Sequence, residues 1–171
     1  MSTPTPALLQ IDALQQEAEA LLRQKKTAEA RALFEQVQQQ AGHIGYHPAL
    51  ARAHWGLCHA SRLQGAFAGG IAHGKLAVKH ARASRQQPLL LQCLSELAAN
   101  CQLLRQYAAT RRHYRSALLL AQKLNDLPQL VHLHSCLAWL HRTTGSLTTA
   151  LQHAHQAVLL VAEVKDLTLP A

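Results

Sequence analysis

"LAANCQLLRQYAATRRHYRSALLLAQ", residues 97–122, decides how this chain folds. It carries two runs of apolar and small residues at the i, i+3, i+4, i+7 spacing of a helix, separated by a break at "LRQYA". Leu97 and Ala98 stand in the first run, and Thr110, Tyr114 and Ala117 in the second. The stretch reads as a helix hairpin, and a lone hairpin cannot bury its apolar stripe. It needs neighbours of its own kind.

An internal repeat supplies them. Sliding the chain until Pro48 meets Pro88 also brings Pro88 onto Pro128. At that shift Ala30, Gly70, Thr110 and Ala150 align, and one helical turn on so do Phe34, Gly74, Tyr114 and Ala154. Val37, Ala77, Ala117 and Ala157 make a further column, as do Ala18, Cys58, Ala98 and Ala138. Each unit reads as two helices, with proline opening the first where its missing N–H costs nothing. Breaks at "RQKKT", "LQGAF", "LRQYA" and "TTGSL" within units, and at "GHIGYHP", "SRQQP" and "KLNDLP" between them, predict helices over 8–25, 27–42, 49–64, 67–83, 89–104, 107–124, 129–143 and 147–164. The expected organisation is a flexible tail at 1–7 and a single domain over 8–165, with repeats near 8–47, 48–87, 88–127 and 128–165. Residues 166–171 are then a tail or the start of a further repeat. Small residues let helix axes approach to about 8–10 Å. Gly70 and Gly74 are therefore expected contact sites, despite a helix cost of about 1 kcal/mol each.

Composition agrees. Aromatics make up 4% of the chain, so the core must be leucine and alanine, as in close-packed helices. A formal charge of +8 points to anionic partners. The charge is scattered, with Arg111-Arg112-His113 the longest basic cluster, which disfavours nucleic acid. Cys58, Cys93, Cys101 and Cys136 form no CxxC pair and read as small buried hydrophobes of a reducing compartment. "MSTPTP" is not a secretory leader and no apolar run is long enough to span a bilayer, so the expectation is a cytoplasmic chain that does not enter membranes.

The pattern of Leu97-Ala98 followed by Thr110-x3-Tyr114-x2-Ala117 resembles a tetratricopeptide repeat (TPR), whose second helix carries Ala-x3-Phe/Tyr-x2-Ala. Ala30-x3-Phe34-x2-Val37 and Ala150-x3-Ala154-x2-Ala157 repeat it, so the resemblance covers about residues 8–165. The usual TPR period is about 34 residues. The longer one here, from Pro48 to Pro88, is similar to an extended subclass found in bacterial signalling regulators. HEAT and armadillo repeats overlap this length without sharing the motif. Gly74 and Ala154 depart from the pattern by replacing its large aromatic. The resemblance implies an all-α, right-handed α-solenoid of four antiparallel helix hairpins, whose first helices line a concave face.

On those helices, Arg52, Trp55, His59 and Arg62 share one face through i, i+3 and i+7 spacing, and His132, Ser135, Trp139 and Arg142 repeat it two units later. Gln92, Ser95 and Gln102 are the intervening members. Tryptophan and arginine are frequent binding hot spots. The expected function is a protein–protein interaction module, part of a larger regulator, with a basic, aromatic groove that takes an acidic peptide or protein segment. Core packing is the alternative reading of Trp55 and Trp139. Two other functions compete: the regulatory domain of a signalling enzyme such as a nucleotide cyclase or kinase, and a basic RNA-binding helical repeat.

No cofactor and no catalytic constellation is expected of this chain. The "HLH" at 132–134 and "HAH" at 153–155 place residues about 200° apart on a helix, so neither pair can grip one ion. His132 with Cys136 has the i, i+4 spacing of a nucleophile pair but lacks an oxyanion donor. Finally, "AVLLVAEV" at 157–164 is apolar on more than one side, whereas solenoids usually end in a polar cap. That leads to the expectation of a fragment, or of a homodimer through the last helix.

Overall fold

In a computed structural model of the protein, residues 6–168 are described. The expected tail lies outside them through residue 5, as do residues 169–171. The described residues form an all-α solenoid of four antiparallel hairpins: α1 (Pro6–Arg23), α2 (Thr27–His43), α3 (His47–Leu63), α4 (Phe67–Ala83), α5 (Gln87–Leu103), α6 (Tyr107–Leu124), α7 (Leu127–Thr143) and α8 (Leu147–Thr168).

The backbone repeats at half the sequence period. Lys25, Gly45, Gly65, Arg85, Arg105, Asn125 and Gly145, evenly spaced along the chain, adopt positive φ and end a helix. The following amide reaches back to an orphan carbonyl of the last turn, as Lys26 does to Leu21 and Tyr46 to Ala41, both at 2.9 Å. Asp126 adds a side-chain cap, accepting from the Gln129 amide. Helices α3, α5 and α7 start at His47, Gln87 and Leu127, slightly before the expected positions. Proline sits second in each, where its missing N–H is still one of the amides without an intrahelical partner. α8 runs through Thr168, beyond the point at which the register places a junction.

First helices pack on first helices, α1 on α3 and α3 on α5, whereas among the described residues the second helices pack chiefly on their neighbours in sequence order. The first-helix layer is therefore the tighter, inner side of the curve. Leucine, alanine and cysteine fill the core, and Ala30, Ala77, Ala117 and Leu137 are wholly buried.

Joints between hairpins work by size complementarity. At the first, the buried Phe34 ring of α2 lies where a Cβ on Gly56 of α3 would stand. The second reverses this: α5 seats Leu97 over Gly74 and Asn100 over Gly70, as expected of those glycines. A Cβ on Gly74 would lie 2.9 Å from Leu97 Cδ1 and 3.1 Å from Cys58 Sγ. At the third, Tyr114 of α6 neighbours Cys136 of α7, and neither side is small. There α6 and α7 pack less extensively than the helices at the first two joints, and α5 and α7 do not pack as α3 and α5 do.

Two hairpins carry histidine pairs in the same register. His54 and His73 bring their Nδ1 atoms to 3.2 Å in α3–α4, and His134 and His153 to 3.0 Å in α7–α8. Each hydrogen bond needs one N–H and one lone pair, so a pair cannot keep it with both rings charged. His80 stacks on His54 and His141 on His153, with ring centroids 5.7 and 5.5 Å apart. Burial, then the neighbouring His73 and His80, pushes His54 down to about 4, and burial likewise lowers His73, His134 and His153.

Two outcomes follow from this packing. Gly56→Ala should lower unfolding stability in urea by about 1–3 kcal/mol through overpacking against Phe34. Gly69→Ala, which meets nothing within 4 Å, should be neutral or mildly stabilising. The second concerns acid. Histidines with folded values below their ordinary 6.5 take up protons more readily when unfolded, so stability should fall as pH drops from about 6.5 towards 4. The variant His54→Leu/His73→Leu copies Leu14 and Leu33 of the first hairpin and should lose less stability over that interval. An unchanged pH slope in the variant would contradict the assignment.

Candidate peptide-binding groove

Three adjoining depressions follow the first helices. Between α1 and α3 lie Asp12, Gln15, Glu19 and Arg52. Between α3 and α5 lie Glu19, Arg52, Trp55 and Gln92, with Arg85 from the turn before α5. The third, of about 470 Å³, opens where α5 and α7 part. Its floor is Tyr114 of α6, and Trp55, Arg62, Gln92, Ser95, Glu96 and His132 form its walls. Trp55 and Gln92 border both the second and the third, so the three make one continuous groove.

The structure thus brings together Arg52, Trp55, Arg62, Gln92, Ser95 and His132. Trp55 answers to both of its readings: it is half-buried against the central core and also lines the groove. It stacks on His59 at 5.8 Å between centroids. Gln102 supports the floor by accepting a 3.1 Å hydrogen bond from the Tyr114 hydroxyl. The serines are tied to their own helices, Ser95 to the Leu91 carbonyl at 3.0 Å and Ser135 to that of Val131 at 2.9 Å.

Trp139 and Arg142 lie elsewhere. They line a separate apolar depression with Leu147 and Leu151 of α8. Of the α7 residues, His132 borders the groove, whereas Trp139 and Arg142 face the depression shared with α8.

Sequence reading missed Glu96. Its carboxylate accepts from Arg62 Nε at 2.6 Å and from His59 Nδ1 at 3.0 Å. The carboxylate can only accept, which assigns the proton to His59 Nδ1. Burial works to raise the Glu96 carboxyl, but the hydrogen bonds from His59 and Arg62 outweigh it and hold it below its ordinary 4.5. Arg52 is likewise met by Glu19, at 3.7 Å. The groove is therefore of mixed charge: Arg52 and Arg62, the cations of its expected basic face, each have a carboxylate supplied by a neighbouring helix. One signal was available, since acidic residues are scarce in this chain and Glu96 lies directly beside Ser95.

His132 Nε2 lies 3.6 Å from Cys136 Sγ, but burial pushes that thiol up, so it is held protonated and not poised as a nucleophile. Burial also raises Cys58 and Cys93, the latter to about 12. Among the described residues no three histidine, cysteine or acidic side chains are placed to hold a metal ion. No described helix is long and apolar enough to cross a membrane.

No protein-family model and no curated protein sequence matches this chain. Solved structures do. One is aspartyl phosphate phosphatase F from Bacillus subtilis, with a TM-score of 0.85 at 16% identity over 95% of this chain. BtubC (BKLC) from P. vanneervenii follows at 0.74, with 18% identity over 92%. The apo form of RapI gives 0.66, with 12% identity over 94%. This chain spans 43% of the length of the phosphatase structure, 74% of BtubC and 71% of RapI. At these identities the likeness establishes the fold, an all-helical repeat.

Glu96 gives the site a test. Glu96→Gln should lower stability at neutral pH by about 1–2 kcal/mol, because Arg62 loses its counter-charge in a half-buried place. A carboxylate with a depressed folded value contributes above its ordinary pKa and loses that contribution as pH falls through the folded one. Urea unfolding should therefore show the gap between wild type and variant narrowing at pH values well below 4.5. An equal gap at neutral and strongly acid pH would contradict the charged network.

Proposed function

We propose that this chain is a protein–protein interaction module that binds a peptide or protein segment along the groove of its first helices. The observation that carries this is the opening between α5 and α7, where a half-buried tryptophan borders a floor of buried Tyr114. Such a place offers an apolar anchor ringed by hydrogen-bonding groups, the layout of a peptide hot spot. Trp55 would take an apolar side chain, and the amides of Gln92 and Gln87 would pair with segment backbone. A carboxylate of the segment fits between Arg52 and Arg85, where two guanidiniums face the single carboxylate of Glu19.

The TPR resemblance supports the same reading, with the chain as the sensory or scaffolding part of a larger regulatory protein in the cytoplasm. The structural neighbours include an aspartyl phosphate phosphatase, and that activity is said of the neighbour alone. The enzyme-regulatory alternative depends on sequence beyond this chain. The nucleic-acid alternative is weakened by Glu19 and Glu96, which occupy the cations a phosphate backbone would need.

Selection of a displayed random peptide library on the immobilised chain tests the proposal. Recovered peptides should bind Trp55→Ala roughly tenfold or more weakly, the loss of a hot-spot aromatic. They should be enriched in acidic or C-terminal carboxylates and lose that enrichment on Arg52→Gln/Arg85→Gln. Equal recovery by wild type and Trp55→Ala would remove the groove assignment.

A further inference from the structure

The start of α6 and the end of α7 enclose a depression of about 170 Å³. Tyr107, Ala108 and Arg111 of α6 line it, with Leu140 and His141 of α7 and Thr144 of the turn that follows. It shares no lining residue with the groove, and it lies within the array, since α6 also packs on α5 and α7 on α8. His141 is 5% exposed, and neither of its ring nitrogens has a hydrogen-bond partner. A buried imidazole left unpaired gives up its hydration without return, so such a ring points to a ligand.

The other joints show what kind. Two repeats earlier the same register holds Arg31, Glu35 and Gln64. Arg31 donates there to the Glu35 carboxylate at 3.0 Å and to the Gln64 side-chain oxygen at 3.3 Å. One repeat on, buried Ile71 takes the arginine's place and needs no acceptor. At the third joint the arginine returns as Arg111, but Arg115 stands for Glu35, Thr144 for Gln64 and His141 for Ser61. The Thr144 hydroxyl donates to its own helix, to the Leu140 carbonyl at 3.0 Å. Among the described residues neither Arg111 nor Arg115 meets a carboxylate. The third joint keeps the cation of the first and exchanges its acceptors for a second cation and a buried ring.

These are the donors of an oxyanion site. Arg111 offers a planar fork, the shape that takes carboxylate and phosphate oxygens in pairs. Burial, then Arg115 and Arg111, lowers the His141 imidazole below its ordinary 6.5, so at neutral pH it is uncharged and holds one N–H to donate. Two guanidiniums without a carboxylate attract a dianion more strongly than a monoanion. The space is several times the roughly 30 Å³ of one water, yet below that of pockets for drug-sized ligands.

We infer that this depression binds a phosphate-type dianion, held between Arg111 and His141 with Arg115 as the second charge. The group is inorganic phosphate or the phosphoryl end of a larger ligand whose remainder stays outside.

Calorimetric titration of the full chain with inorganic phosphate at constant ionic strength tests this, with histidine-ring NMR as a second readout. Wild type should take up one phosphate per chain and shift the His141 signals. Arg111→Gln should weaken binding roughly tenfold or more. Arg31→Gln, in the register that Glu35 and Gln64 already fill, should bind as wild type does. Arg115→Glu restores the carboxylate of the first joint and should abolish binding with helical circular dichroism unchanged. Acetate, a monoanion, should bind several-fold more weakly than phosphate. A phosphoserine peptide separates the sources: binding tighter than the free ion places the phosphoryl group on a protein partner, and weaker binding places it on a small molecule. No saturable uptake, equal affinity in Arg111→Gln and wild type, acetate binding as well as phosphate, or His141 signals that do not respond would each overturn the inference.

Discussion

Every joint in this solenoid is a contest of side-chain size across a helix crossing. Helices that approach this closely leave room for one bulky group, so a large residue on one side requires a small one opposite. Phe34 against Gly56 and Leu97 against Gly74 meet that condition. Tyr114 against Cys136 does not. That joint is also where α7 does not pack on α5 as α5 does on α3, and where the groove is centred, over the buried Tyr114.

The groove gains a second property from the same stacking. Side chains on successive first helices stand beside one another, so Arg52 meets Glu19 of the helix before and Arg62 meets Glu96 of the helix after. Fixed pairs of this kind give a surface of alternating charge, which discriminates between ligands by the placement of their charges more than by their total. The chain as a whole carries +8, yet the residues that face the groove do not share that excess evenly. It remains greatest near Arg52 and Arg85.

The helices, their pairing and the contact glycines were legible in the sequence because each rests on local spacing: the helical period, a proline at the start of α3, α5 and α7, and turns at regular intervals. Gly70 and Gly74 stood out as small residues in a small column. The groove was legible only in part. Arg52, Trp55, Arg62 and Gln92 fell where their columns put them. Glu96 and the looser third joint depend instead on pairs drawn from different columns, Arg62 with Glu96 and Tyr114 with Cys136. Reading columns singly hides them. For the same reason Trp139 was grouped with Trp55: identical register implies identical surroundings only where the joints are alike, and the third joint is not like the first two.

The central claim is that the Tyr114–Cys136 contact holds the groove open. The most direct check is the distance between probes at Gln92 of α5 and His132 of α7, measured in the wild type and in Cys136→Gly. With glycine opposite Tyr114, the third joint should pack like the first, and the distance should shorten. A separation that stays the same in a variant of normal helicity would contradict the account.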